Sequence, residues 1–212
     1  LQTLRNTLRW RKEMDVEAIV RCGREGGDET LREALLSDFS IGRFYARGYD
    51  RDGRAIVVGH AHRPQLRNDD MTLKMLVHIV EKAVACTKRR SGLEKFVVIA
   101  DYRGFERQDA SPLRMSQPAI NVSQNHYPER IHRVYVVEAP LAFRVICQVL
   151  RPFLDPVTRE KIVFCTSSDV SQFTETVEDV HKLEDFAGGP TDLRPFDAEE
   201  YMSLPLDVSF DE

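Results

Sequence analysis

The sequence predicts an α/β fold: a mixed, largely parallel β-sheet with helices around it. Short apolar runs alternate with longer segments whose apolar residues recur at helical spacing, a pattern typical of βαβ units. An Asp-Gly pair between two apolar runs predicts one antiparallel hairpin within that sheet. The length of 212 residues suits one large domain with a short appendage.

The chain is predicted to start with helices. Apolar residues at helical spacing predict a first helix that continues to about Cys22: Leu4, Leu8, Trp10 and Met14. Glycines at positions 23, 26 and 27 end it, and a short second helix is predicted over 29–36. We interpret residues 1–27 as the end of a small helical N-terminal domain, and we expect the sequence to be a fragment of a longer polypeptide.

Five apolar runs predict the strands. The hairpin pairs residues 44–49 with 54–58 across the turn at 50–53, and further strands are predicted over 96–100, 134–137 and 162–165. The run Phe96–Ala100 has no polar residue, which suits a strand that is covered on both faces.

Helices are predicted between and after these strands. Asp69 or Asp70 is expected to cap a long helix over 71–90, and a second helix is expected over 113–125 with Pro118 as a kink or a restart. Asp155 and Pro156 have the composition of an N-cap and first turn for a short helix. A last helix is predicted over 171–183, and glycines 188 and 189 with Pro190 end the α/β pattern.

The segment Leu141–Phe153 predicts a helix with unusually little polar surface. Its strongly polar residues are Arg144, Gln148 and Arg151, at i, i+4 and i+7, so they form one narrow stripe. An ordinary surface helix buries one apolar stripe and exposes the rest, which is the reverse of this ratio. The helix therefore either lies in the core or contacts an apolar surface that is not the core.

Composition and charge exclude several classes of protein. The net charge of −4 argues against nucleic-acid binding, and no apolar run approaches the roughly 18 residues that would span a bilayer. Basic residues cluster in the first 12 positions and acidic residues in the last 16. Cys22, Cys86, Cys147 and Cys165 have no C-x-x-C spacing and apolar neighbours, which predicts buried thiols in a reducing, cytoplasmic protein.

Signatures of enzymes are missing from the sequence. It contains no G-x-S-x-G, H-E-x-x-H, phosphate-loop or dinucleotide-binding motif, so we expect no catalytic residue, metal or cofactor. His60 and His62 alternate on one strand end and would supply two metal ligands, but a surface pair is the better interpretation. Glu129 is expected in an ion pair and Cys165 as a buried thiol. Residues 88–90 either end a helix in solvent or contact anionic lipid.

Several ordered motifs resemble the CRAL-TRIO lipid-binding family, the class of the secretory phosphatidylinositol/phosphatidylcholine transfer proteins. They comprise the segments 127–130 (YPER), 136–140 (VVEAP) and 152–158 (PFLDPVT) through Lys161 and Ile162. Weaker matches are 49–54, 100–105, the glycine pair and the segment 8–13. The resemblance implies a lipid-binding domain over residues 28–190, followed by an acidic C-terminal segment over 191–212.

The family resemblance also implies a site. The sheet would floor an apolar lipid pocket, and Leu141–Phe153 would be its mobile gate helix. The implied lipid contacts are Val98, Met115, Ile120, Val122, Val136, Phe143, Ile146, Leu150, Phe153 and Phe164. Arg144 and Arg151 would meet headgroups at the membrane surface, where each basic residue gains about 1 kcal/mol.

The implied function is non-enzymatic binding and transfer of a lipid, with peripheral membrane association. The implied partners are a lipid and a transient membrane surface, with a protein partner as a further candidate, but no nucleic acid. Family members that bind phosphatidylinositol carry a Lys shortly before the glycine pair, whereas Phe186 stands here beside Glu184 and Asp185. This favours phosphatidylcholine or an uncharged lipid. The alternatives are a protein-interaction module of the same fold and, with less support, a hydrolase.

Overall fold

Five strands form one sheet in the computed structural model, which describes residues 2–64, 68–109, 113–154, 156–166 and 174–212. The strands are β1 (Phe44–Tyr49), β2 (Ala55–His60), β3 (Phe96–Asp101), β4 (Ile131–Val137) and β5 (Ile162–Cys165). They lie side by side in chain order; β1 and β2 are antiparallel and the other neighbours are parallel. The predicted α/β fold with a mixed, largely parallel sheet is confirmed.

Helices connect and cover the strands. They are α1 (Gln2–Glu13), α2 (Val16–Arg21), α3 (Glu29–Phe39), α4 (Asp69–Ser91), α5 (Leu113–Asn125), α6 (Leu141–Leu150), α7 (Pro156–Glu160) and α8 (Ala198–Ser203). Among the described helices none is long and apolar enough to cross a membrane.

The prediction of a single N-terminal helix to about Cys22 was wrong. The chain breaks between α1 and α2 at Asp15, whose φ of 53° is left-handed. Its carboxylate accepts the backbone N–H of Ala18 at 3.4 Å, which caps α2. Asp tolerates this conformation and favours such caps, so it can restart a helix inside a pattern that looks continuous.

The long helix α4 begins with a different cap from the one predicted. Asn68, rather than Asp69 or Asp70, accepts the N–H of Met71 at 3.2 Å. The two acids occupy the first turn instead, where their charge suits the positive end of the helix dipole. The prediction was thus wrong by one residue about the cap, while α4 itself matches the predicted segment.

The predicted helix over 171–183 was also wrong beyond Thr174, which the structure still describes as helical. Residues 171–173 lie outside the described part of the chain, and residues 175–183 contain only one short 3₁₀ turn, at Val180–Lys182. Val177 forms an antiparallel bridge with Asp50, and the N–H of Glu178 donates to the carbonyl of Tyr49 at 3.0 Å. Pairing with the β1–β2 hairpin overrides the local helical pattern.

The acidic C-terminal segment packs into the core. Phe210 and Tyr201 are fully buried, and the N–H of Phe210 donates to the carbonyl of Ala46 along the outer edge of β1. The guanidinium of Arg47 is fully buried and pairs with Glu184 at 2.9 Å and with Asp211. The segment therefore protects an edge strand that would otherwise be open.

Strand register assigns the side chains to two faces. Val57, Val98 and Val134 are lateral neighbours, so they project to the same face, and α4 and α5 cover that face. Tyr45 and His60 alternate to the opposite face, where they contact the rings of Phe196 and Phe186 respectively. The first face is the one that carries the site.

Candidate functional site

A cavity of about 390 Å³ lies between the sheet and the helices α4 and α5. The sheet supplies Phe44, Val57 and Val98 among its floor residues. Its walls include apolar side chains of α4 and α5: Leu73, Leu76, Ile79, Val80, Ala119 and Ile120. The cavity is therefore an apolar space whose volume is near the lower end of the roughly 300–1,000 Å³ typical of small-molecule sites.

The cavity contains three of the residues that the sequence predicted as lipid contacts: Val98 on the floor, Ile120 on α5 and Leu150 at the end of α6. Val122 and Val136 are buried in the interior but do not line this space. Met115 belongs to α5, and its side chain lies outside the described part.

The remaining predicted contacts lie around α6. Phe143 packs on Tyr102, with ring centroids 3.9 Å apart, and on Phe105. Ile146 is half-buried, whereas Phe153 and Phe164 are 44% and 37% exposed to solvent. The structure thus divides the predicted set between the cavity, the neighbouring interior and the surface, and lipid contact by each residue stays a prediction.

Helix α6 presents two apolar faces. Phe143, Ile146 and Leu150 point inward, while Leu141, Val145 and Val149 point outward with exposed fractions of 78%, 51% and 56%. None of the α6 side chains that the structure describes is fully buried. Its outer stripe at i, i+4 and i+8 is a large apolar surface to leave in water.

The polar stripe of α6 separates these two faces on one side. Arg144 and Arg151 are exposed, and the guanidinium of Arg144 lies 5.4 Å from the ring centroid of Phe164. The α-helix ends at Leu150 instead of Phe153, because Pro152 follows and residues Arg151–Phe153 form a 3₁₀ turn. The predicted end of the helix was therefore three residues too late.

Two charged residues line the cavity without being predicted from the sequence. Asp38 in α3 and Arg43 before β1 are 5% and 7% exposed. Within the described chain, Oδ2 of Asp38 and Nε of Arg43 have no hydrogen-bond partner. Burial raises the pKa of Asp38 to about 6. No motif marks these positions; only the fold brings them to one cavity.

The segment before the glycine pair lies away from the cavity. Phe186 is buried against His60, and the guanidinium of Arg103 lies 5.6 Å from its ring centroid. Arg103 is held by the carboxylates of Asp101 and Asp185, and Glu184 pairs with Arg47. Glu184 and Asp185 are therefore paired and would not repel an anion as free charges. Their partners, Arg47 and Arg103, are in turn not free to bind an anion.

The glycine pair itself is explained by close packing. A Cβ on Gly189 would lie 1.8 Å from the carbonyl oxygen of Leu183, and Gly188 has a φ of 89°. Both positions consequently require glycine.

Other residues singled out from the sequence have structural partners. The His60 and His62 ring centroids are 5.9 Å apart, and no group of three possible metal ligands occurs in the described residues. Burial of His60 lowers its pKa to about 3. Glu129 pairs with Lys95 and Lys161.

The structure also shows the burial of the four cysteines and the partners of the basic residues at the end of α4. Cys22, Cys86 and Cys165 are buried as predicted, whereas Cys147 is only half-buried. Arg89 and Arg90 pair with Glu212 and Glu178, so both have acidic partners within the protein.

Similarities in sequence and in structure to known proteins point to the same fold. The chain is 25% identical over 169 residues to the phosphatidylinositol transfer protein PDR17 of Saccharomyces cerevisiae, covering 77% of this chain and 47% of that one. It is 28% identical over 224 residues to a SEC14 cytosolic factor of Kluyveromyces lactis, covering 93% and 71%. A SEC14 cytosolic factor of Candida glabrata is 29% identical over 199 residues, covering 86% and 63%.

The chain thus spans between about half and about seven tenths of the length of these relatives. Among solved structures, that of Sfh5 superposes with a TM-score of 0.65 at 18% identity, over 95% of this chain and 75% of that one. The model of the CRAL/TRIO domain matches residues 40–189, from the end of α3 to the glycine pair. The chain belongs to the CRAL/TRIO domain family.

Proposed function

We propose that the protein binds a lipid in the cavity beneath α6 and transfers it between membranes without a chemical reaction. The observation that carries this proposal is the unfilled apolar space of about 390 Å³ on the covered face of the sheet. A protein-interaction module would not need such a space, and its interior would be packed to ordinary density. The names of the relatives, a phosphatidylinositol transfer protein and SEC14 cytosolic factors, support lipid transfer.

Helix α6 is the element that we expect to move. Its inner face reaches the cavity through Leu150, and its outer face exposes Leu141, Val145 and Val149. In the closed state the inner face would cover the lipid. On a membrane the outer face would enter the apolar layer while Arg144 and Arg151 meet headgroups.

The energetics of transfer are nearly balanced. Each methylene kept from water contributes about 0.8 kcal/mol, but lipid tails in a membrane are already out of water. Moving them into an apolar cavity changes the free energy little. The role of the protein is then to provide the cavity and to lower the barrier for leaving the bilayer.

Phosphatidylcholine or an uncharged lipid fits the surroundings better than phosphatidylinositol. Phe186 brings no cation to the segment before the glycine pair, and Arg103 beside it is held by two carboxylates. The phosphate of phosphatidylinositol would compete there with Asp101 and Asp185 for one guanidinium, whereas the phosphate of phosphatidylcholine is balanced by its own choline cation.

Transfer of labelled phosphatidylcholine between vesicles tests the proposal, with labelled phosphatidylinositol in parallel. Val98→Trp should fill the cavity and abolish transfer, whereas Leu93→Trp, at an exposed loop position, should leave it unchanged. Unaltered transfer by a folded Val98→Trp variant would show that the lipid does not bind in this cavity. Native mass spectrometry of the purified chain should show a co-purifying lipid.

A further inference from the structure

Three aromatic rings join α6 to the loop after β3. The ring centroid of Phe143 in α6 lies 3.9 Å from that of Tyr102 and 5.7 Å from that of Phe105. The rings of Tyr102 and Phe105 are themselves 5.1 Å apart, and we call these two residues the aromatic platform. Contacts between rings stabilise beyond the apolar area that they bury, so Phe143 attaches the first turn of α6 to the platform.

The aromatic platform is held in place independently of α6. Phe105 is buried, and the N–H of Tyr102 donates to the carbonyl of Val137, at the end of β4, at 2.9 Å. In the same loop, the carboxylate of Asp101 accepts the N–H of Arg103 at 2.9 Å and pairs with its guanidinium at 3.0 Å. The platform is therefore a fixed surface, and α6 is the element that can leave it.

The contact between Phe143 and the platform lies apart from the cavity. Leu150 of α6 lines the cavity, so its contacts depend on what the cavity contains, whereas the described lining includes none of the three rings. The other described side chains of α6 are at most half-buried, so the ring contact is a large part of what attaches this helix. A contact made in the closed form alone shifts the equilibrium between closed and open forms by its own free energy.

We propose that Tyr102 and Phe105 are the positioning residues that keep α6 closed over the cavity, by packing against Phe143. This inference rests on the proposed function, in which α6 moves. Because the three rings do not line the cavity, their contact is the same with and without lipid. Loosening it makes α6 open more often but leaves the amount of bound lipid unchanged. The platform thus sets the rate at which lipid enters and leaves.

Cys147 of α6 provides a direct measure of opening. It lies one turn after Phe143 and is half-buried. Burial raises the pKa of the Tyr102 hydroxyl, and the nearby Cys147 raises it further, so the thiol lies beside the platform. Burial also raises the pKa of Cys147 to about 11, which suppresses the reactive thiolate while α6 is closed. Cys22 and Cys86 are buried away from α6 and react only when the protein unfolds more widely.

Alkylation by iodoacetamide, followed by peptide mass spectrometry, tests the proposal. Phe105→Leu keeps an apolar side chain but removes a ring of the platform, and should raise the alkylation rate of Cys147 about tenfold. Tyr102→Phe retains all three rings and should react like the wild type. Phe196→Leu is the matched control, because it removes a ring that stacks 3.9 Å from Tyr45 on the opposite face of the sheet, and should leave the rate unchanged.

Release of labelled phosphatidylcholine to acceptor vesicles links the platform to lipid. Phe105→Leu should release it about tenfold faster than the wild type, with the same amount bound at equilibrium. An unchanged Cys147 rate, or unchanged release, would overturn the proposal. Equal increases at Cys147, Cys22 and Cys86 would also overturn it, because the rings would then belong to the ordinary core. If the wild type binds and moves no phosphatidylcholine while Cys147 still responds, the proposed function fails, and the control of lipid release fails with it.

Discussion

Two regions of the molecule treat their apolar side chains in opposite ways. Around β1, Tyr45, Tyr201 and Phe210 are almost fully buried, and the buried guanidinium of Arg47 joins the strand to two later segments. On α6 itself, by contrast, none of the described side chains is fully buried and an apolar stripe faces solvent. Tight packing is thus concentrated at the β1 edge, whereas α6 keeps an exposed apolar surface that a ligand or a bilayer can cover.

The difference has a simple energetic meaning. Each Å² of apolar surface that is removed from water stabilises the folded state by roughly 25 cal/mol. The outer face of α6 stays in water and does not provide this stabilisation. Such a loss is tolerated where a ligand or a bilayer covers the surface during function. We therefore expect mutations to act on stability around β1 and on lipid handling around α6.

The largest effect on stability should come from Arg47. Arg47→Met leaves Glu184 and Asp211 without their buried partner, and the free energy of unfolding should fall by about 4 kcal/mol in urea titrations. Arg194→Met is the matched control, because that exposed guanidinium also pairs with Asp211 but should cost less than about 1 kcal/mol. Equal losses for both variants would contradict the distinction between a buried and an exposed pair.

An isoleucine on each side gives a direct contrast. Ile56→Ala, at a fully buried position of β2, should lower the free energy of unfolding by about 3 kcal/mol. Ile146→Ala on α6 should lower it by less than half as much, since that side chain is only half-buried. Urea denaturation of both variants decides the point, and a larger loss for Ile146→Ala would place α6 in the structural core.

Acid should destabilise the packed side through His78. Burial lowers the pKa of His78 to about 3, below its ordinary 6.5, and the ring lies near Phe39 and Tyr201. The unfolded chain therefore binds a proton that the folded chain excludes, so stability is full above pH 6.5 and is lost as the pH falls towards 3. The loss should be about 3 kcal/mol at pH 4.

His78→Leu isolates this contribution. The difference in unfolding free energy between variant and wild type should grow in favour of the variant as the pH falls from 7 to 4. The other acid-sensitive groups, including His60, are common to both proteins and cancel. A difference that does not change with pH would show that His78 is not the source of the acid sensitivity.

Periodic patterns predicted most of the fold. Continuous apolar runs identified the strands, and helical spacing identified α4 to within two residues, because both signals arise from burial along one element. The failures occurred where a side chain or a distant strand decided the outcome. Asp15 capped a new helix, and Val177 paired with the β1–β2 hairpin, which no local pattern encodes.

The candidate site was only partly predictable. Val98, Ile120 and Leu150 were expected near a lipid from motif positions, and the fold places them around one cavity. Asp38 and Arg43 were not expected, because a charged residue near a helix end usually faces solvent. Packing of α3 against α4 and of the β1 edge against its neighbours is what buries them, and that packing depends on long-range contacts.

The most direct test of the central claim removes the outer apolar stripe without touching the cavity. Val145→Ser with Val149→Ser should leave the urea midpoint and the amount of bound lipid unchanged, while transfer of labelled phosphatidylcholine between vesicles falls about tenfold. Leu4→Ser with Leu8→Ser, which removes two exposed leucines from α1, should transfer at the wild-type rate. Undiminished transfer by the α6 double variant would contradict the role assigned to this helix.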